Sequence, residues 1–416
     1  MRFPKGWRVA AAVVAALLGA GAVAAVGYRV LAPAEVETVA RAGYPPAVTP
    51  TVGVVGRLSA APLIVDGRLR VYAAARQVYA DQPADRGYRA APYWSYRRWP
   101  ARLSGVVADG TTVVSRWSDG KLVALDARTG RVAWRADDVE PGVLPEPRRT
   151  YAAAVWEPSG LSVARTPTGR TVLVVAGPGQ LSAYDLVDGH RLWRVDRERG
   201  CLGAAGTTAD GEVLGLTKCD GPETVEFRDA VTGAVRARWR PPDASETFVM
   251  TPLGCRQGRS GCRGLRISEG AGSGRGWLVG AGGPQAAPGL DGVDTALDGE
   301  RAVGTSAGVV TGRSARTGAE LWRRADLGPV RIIAVEPGRV HLLTEQRELV
   351  TLDPSTGAER SRSALTIGHD GIDWQPGQAY ATGGYVAVER AREGAVPDDD
   401  DQAYFLVPEP VLLVAT

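Results

Sequence analysis

Four cysteines, three histidines and one acidic run are the side chains of this 416-residue chain best suited by type to do chemistry. Cys201, Cys219, Cys255 and Cys262 could bind a metal or pair as disulfides. Metal sites want ligands at closer paired spacing than these. An even number of cysteines in an exported chain permits two disulfides, with three connectivities open. Cys255 and Cys262 flank the stretch RQGRSG, which can bend back on itself, and this favours pairing them and leaving Cys201 for Cys219. His190, His341 and His369 lie far apart, the first in a turn and the second in a strand, and structural or solvated roles are expected for them. Asp398 to Asp401 could hold a cation weakly but reads as a solvated hairpin tip. There is no Gly-x-Ser-x-Gly, no phosphate-binding Gly-rich loop ending in Lys, and no His-Glu-x-x-His. The Gly-rich stretch 270–283 lacks the strand and helix of a dinucleotide site and reads as a loop at a sheet edge. No catalytic, metal-binding or cofactor-binding residue is therefore expected, and the chain does not read as an enzyme.

The elements around these residues repeat. KLVALDARTGRVAWR surrounds Asp126, QLSAYDLVDGHRLWR surrounds Asp185, and TVEFRDAVTGAVRARWR surrounds Asp229. VVTGRSARTGAELWR follows around Ser314 and ELVTLDPSTGAERSR around Asp353. In each, an alternating apolar strand meets a turn whose Gly lies four residues after the Asp or Ser. These are Gly130, Gly189, Gly233, Gly318 and Gly357. A turn-entrance Asp or Ser can accept N–H bonds from the residues ahead, and Gly takes the positive φ of a short hairpin loop. A second strand follows, often with Trp eight residues after the Asp or Ser; Trp134, Trp193 and Trp322 are expected to bury their rings between neighbouring sheets. A degenerate unit places Trp277 eight residues after Glu269, and another begins near Asp81. The closing strands are expected within QAYFLVPEPVLLVAT, with Val411 to Val414 joining the two ends of the chain. Steps of 59, 44 and 39 residues, with the 85-residue step filled by the degenerate unit, give a period near 40–45. That period in strand-rich units predicts an all-β single propeller of about eight four-stranded blades, seven being the alternative count. The 59-residue step implies an inserted loop around Asp137 to Trp156.

The motif of an alternating strand ending in Asp, then Thr-Gly, then Trp resembles the pyrroloquinoline-quinone-type propeller repeat, with LVALDARTGRVAW (122–134) its nearest instance. The resemblance covers roughly residues 60–416. Similar repeats occur in quinoprotein dehydrogenases and in the periplasmic propeller lipoprotein of the outer-membrane barrel-assembly machinery. The dehydrogenases carry adjacent cysteines beside the quinone and a calcium site next to it. Here no two cysteines are adjacent, and no calcium loop of recognisable spacing is present. The resemblance thus implies the fold, and no cofactor.

The N-terminus sets the compartment. Val9 to Gly27 runs without a charge behind Arg2, Lys5 and Arg8. That length suits one helix across a bilayer core of roughly 30 Å, and the basic residues place the N-terminus in the cytoplasm. A cleaved signal peptide is the alternative; no cysteine precedes Cys201, so a lipid-attached N-terminal Cys is excluded. Residues 1–31 then form a stub and transmembrane anchor, 32–60 a linker and 61–416 the propeller. Charges nearly balance, 49 Lys and Arg against 46 Asp and Glu, so no nucleic-acid footprint is expected. Trp94, Tyr96, Arg97, Arg98 and Trp99, near Tyr88 and Tyr93, combine aromatics with Arg as partner surfaces do, although a packed first blade would use them as well. The expected function is a single-pass, extracytoplasmic scaffold that binds envelope proteins. A quinone-dependent oxidoreductase or cofactor-binding relic, and a sensor or carbohydrate-binding propeller, are the alternatives.

Overall fold

The computed structural model describes residues 13–21, 34–81, 84, 91–137, 140, 148–219, 221–242, 244–269, 274–365 and 373–416. Eight antiparallel sheets follow one another along the chain. Blade 2 shows the pattern: Leu103–Asp109, Thr112–Trp117, Leu122–Asp126 and Val132–Ala136 pair in succession. The first strands of seven blades face a central channel, because Ile64, Ala108, Val163, Pro252, Ala296, Val335 and Ala381 share one cavity, which blade 4 reaches through Ala209. The fourth strands lie outward and are largely exposed, as in Val235–Trp239.

Both ends of the chain close the ring. Blade 8 contains Trp374–Thr382, Tyr385–Arg392 and Val411–Ala415, and its outer strand is Gly53–Leu58. Blade 1 contains Leu63–Val65, Leu69–Ala74, Gln77–Asp81 and Trp94–Trp99, and gains a fifth strand from Ala34–Thr38. The stretch 32–60, read from sequence as a linker, therefore supplies two strands to the sheets. Neither has a neighbouring hairpin partner, so local pattern could not reveal them: Ala34 pairs with Trp99 and Gly53 with Ala415. Closure removes the open edges that would otherwise invite aggregation. Within the expected closing segment, only Val411–Ala415 is a strand, while Asp401–Tyr404 is a short helix.

The apolar core lies between blades. Val107, Val114, Leu122 and Trp134 of blade 2 meet Leu161, Val163, Leu173 and Tyr184 of blade 3 in one cluster. Of the apolar segment Val9 to Gly27, residues 13–21 are helical with Leu17 and Leu18 exposed, and the rest lies outside the described residues. Among the described residues no helix is long and apolar enough to cross a membrane.

Candidate functional site

The repeat residues build the joints between blades. At each third-to-fourth strand turn the Asp or Ser carbonyl accepts from the Gly N–H: Asp126 from Gly130 at 2.7 Å, Asp185 from Gly189 at 2.9 Å, Asp229 from Gly233 at 2.9 Å, and Ser314 and Asp353 from Gly318 and Gly357 at 2.8 Å. The side chains cap the same turns; Asp229 Oδ1 accepts from Val231 N at 2.9 Å and Thr232 N at 2.8 Å. The five glycines have φ between 71 and 74°. Each Trp then donates Nε1–H to the next blade's turn, at the carbonyl one residue past the Asp. Trp134 reaches Leu186 O at 3.0 Å, Trp193 reaches Ala230 O at 2.8 Å, and Trp322 reaches Pro354 O at 2.9 Å. The ring lies over the turn glycine, where a Cβ on Gly233 would stand 2.6 Å from Trp193 Cδ2.

Trp94 makes the same contact, donating to Ala127 O at 2.7 Å. A packed first blade therefore accounts for three of the five residues offered as a partner surface. Trp94 and Tyr96 are fully buried and Arg98 is 6% exposed, because alternate residues of the Trp94–Trp99 strand face blade 2. Arg98 instead bonds Asp119 Oδ2 at 2.8 Å and Glu35 Oε1 at 3.0 Å, pinning the fifth strand. Arg97 and Trp99 remain exposed, with the Arg76 guanidinium 4.0 Å over the Trp99 ring; Tyr88 lies outside the described residues. Trp277 also departs from its expected place. It sits in the third strand of blade 5, Arg275–Leu278, and the Glu269 spacing falls on the hairpin before that strand. There it meets Trp239 of blade 4 edge-on at 4.9 Å. Between blades 5 and 6 the Gly289 N–H replaces the indole, donating to Ala315 O at 3.1 Å.

One of the two cysteine pairs lies at the channel, through Cys255. Cys201 bonds Cys219 across the first two strands of blade 4, and Cys255 bonds Cys262. The second pair staples a loop that crosses from blade 5 to blades 2, 3 and 4. The Gln257 amide accepts from Ala108 N at 3.0 Å and donates to Val106 O at 2.9 Å and to Val155 O. Ser260 Oγ accepts from Val163 N at 2.8 Å, and Gly261 N donates to Thr207 Oγ1 at 2.9 Å. Gln257 carries no sequence signal beyond lying between two cysteines. The cavity around this loop has a volume of about 1280 Å³.

The described end of the inserted loop, from Arg148 to Trp156, packs within the molecule. Trp156 donates Nε1–H to Pro62 O at 2.9 Å, stacks on Tyr380 at 6.3 Å, and its carbonyl accepts from Gly258 N at 3.1 Å. Arg148 lies 3.6 Å from the Tyr404 ring centre and donates to Asp399 O at 2.9 Å. Arg149 N donates to Asp401 Oδ2 at 2.9 Å. The acidic run lies in the connection between the paired strands Tyr385–Arg392 and Val411–Ala415, with Asp398 and Asp400 exposed as a solvated tip requires, and it is also structured. Asp400 caps the helix Asp401–Tyr404 through Gln402 N and Ala403 N, and Arg148 and Arg149 bind beside it. These contacts join residues about 250 positions apart, beyond the reach of local pattern.

Beneath that contact Glu389 is 1% exposed. Burial pushes its carboxyl above the usual carboxylate range, against the opposing effect of bonds from Thr150 Oγ1 at 2.5 Å and Gln378 N at 3.2 Å. A raised folded-state pKa means this group's contribution is complete below the unfolded pKa, about 4.3, and is lost as pH rises through the folded value. Glu389→Gln keeps an acceptor for Gln378 N and reverses the bond to Thr150, its amide N–H donating to Thr150 Oγ1. Its melting temperature is expected to match the parent at pH 4 and exceed it at pH 8; an equal or lower value at pH 8 would refute this reading of Glu389.

The two described histidines lie in separate blades. His190 is exposed in its turn, His341 is buried with Nδ1 3.0 Å from Thr351 Oγ1, and His369 lies outside the described residues. Among the described residues, no group of three His, Cys, Asp or Glu is placed to hold a metal.

The chain matches known proteins along most of its length. Outer membrane protein assembly factor BamB of Bordetella pertussis is 27% identical over 107 residues, a stretch that covers 26% of each chain. Among solved structures, BamB from Moraxella catarrhalis is 17% identical, covering 91% of this chain and 97% of that one with a TM-score of 0.43. Quinohemoprotein alcohol dehydrogenase from Comamonas testosteroni is 12% identical, covering 83% and 72% with a TM-score of 0.41. The sequence profile described as outer membrane protein assembly factor BamB matches residues 6–141, 91–237 and 293–395. The eight-bladed ring of Asp–Gly–Trp joints thus belongs to the BamB family of PQQ-like propellers.

Proposed function

We propose that this chain is a non-catalytic scaffold, anchored by one N-terminal helix and held outside the membrane, that binds envelope proteins. The observation that carries the reading is where its reactive residue types are used. The four cysteines staple strands and the channel loop, His341 and Glu389 are buried among strands, and the repeat Asp and Trp residues join blades. What this ring offers to a partner is its rim, formed by exposed fourth strands and turns. The family's description as an assembly factor for outer membrane proteins supports a partner of that class. The charge-free run from Val9 to Gly27 behind three basic residues supports the anchor and its orientation.

Photocrosslinking in cells tests the reading. Side chains at Val187, Arg97 and Leu321 are exposed at blades 3, 1 and 6. A photoreactive residue at each, in otherwise intact full-length protein, is expected to give discrete adducts with envelope proteins from at least one sector of the rim. Absence of adducts from every sector would contradict it.

A further inference from the structure

The stapled loop between Cys255 and Cys262 is tied to three other blades, and a loop held this firmly presents fixed side chains. Arg256 and Arg259 lie on it and Arg263 directly follows; all three line the channel, as does Arg165. The carboxylates around them are mostly engaged. Asp109 accepts from Arg165 Nε at 3.1 Å, Asp66 pairs with Arg68 at 3.1 Å, Asp298 accepts from Gly338 N at 3.1 Å, and Glu336 pairs with Arg339 at 3.0 Å. Among the described residues, Arg256, Arg259 and Arg263 have no side-chain hydrogen bond or ion pair, and Glu157 is the one carboxylate of the lining in the same state. Among the described residues, three guanidinium groups without a bonded partner therefore line one concavity with two carboxylates that no cation pairs, Glu157 and Asp298, the latter bonded to a backbone N–H.

We propose that the channel binds a small multivalent anion bearing carboxylate or phosphate groups, held by Arg256, Arg259 and Arg263. This inference is independent of the scaffold reading. Guanidinium groups present planar forks of N–H donors that match both oxyanions. Like charges along a concave wall focus a field of their sign and raise the local concentration of counter-ions. The guanidinium of Arg256 is pulled below its ordinary value by burial first and by Arg165 next, with Asp109 and Tyr380 opposing and Arg263 adding to it, a cost that a bound anion offsets. The space of about 1280 Å³ leaves room for such a ligand beside the loop.

Isothermal titration of the full-length protein in low-salt buffer tests this with two probes, citrate and pyrophosphate. Saturable binding of either is expected; citrate alone assigns carboxylate chemistry and pyrophosphate alone assigns phosphate chemistry. Arg256→Ala with Arg263→Ala is expected to weaken binding about tenfold or more through lost charge-assisted bonds. Its melting temperature should stay that of the parent, since neither side chain bonds another described residue. Arg259→Ala alone should weaken binding in the same direction, which serves if the double variant folds poorly. Arg97→Ala, on the rim of blade 1, should leave binding unchanged. Failure of both probes to saturate, or undiminished affinity in the channel variants, would overturn the proposal.

Discussion

Deleting residues 411–416 is expected to abolish cooperative folding of the ring. Val411–Ala415 lies between Tyr385–Arg392 and Gly53–Leu58, and all five side chains are fully buried. Removing it breaks two ladders and leaves two open edges. The four larger side chains alone, at roughly 1.5–3 kcal/mol each, account for on the order of 6–12 kcal/mol. That is the size of a whole domain's net stability, about 5–15 kcal/mol. The truncated chain should therefore show no sharp melt by circular dichroism and rapid digestion under limited proteolysis. A melt like that of the full chain would refute closure by this strand.

The second large effect concerns the joints. Gly233→Ala is expected to cost about 2–5 kcal/mol, from two separable sources. A left-handed backbone at a residue with Cβ costs roughly 1–2 kcal/mol, and overpacking a filled contact costs about 1–3 kcal/mol. Gly233 has φ of 72°, and its added Cβ would press on Trp193. Gly169→Ala supplies the comparison. Its φ is 83°, but nothing lies within 4 Å of the added Cβ, so only the backbone cost applies. Denaturant midpoints of the two variants should differ, with Gly233→Ala the lower. Equal midpoints would show that the Trp–turn contact is slack and that the blades are joined by other means.

The sequence was most legible where the structure is local. An Asp, a Gly four residues on and a Trp four beyond that sit in one hairpin, so the turn, the positive φ and the outward strand follow from short-range pattern. The ring itself follows from the period of those hairpins. Trp94 does the same work but escaped that pattern, because 13 residues separate it from Asp81 instead of eight. A partner surface and a packed first blade both stayed open for it for the same reason. Trp277 fits the eight-residue spacing by coincidence, since blade 5 has only a two-residue fourth strand, Gln285–Ala286. Residues 34–38 and 53–58 were illegible as strands because each completes a sheet whose other members lie far along the chain. The contact of Arg148 and Arg149 with the helix Asp401–Tyr404 was hidden likewise. Of the channel, sequence gave the cysteines and their spacing; where their loop would dock depended on Gln257 meeting blade 2, a contact 151 residues in reach.

The central claim, that this ring is a scaffold for envelope proteins, is tested most directly by affinity capture from crosslinked membranes. The full-length protein is compared with a version retaining only residues 1–31. The account predicts at least one envelope protein recovered reproducibly with the full chain and absent from the short version. Recovery of the same proteins with both, or of none with either, would contradict it.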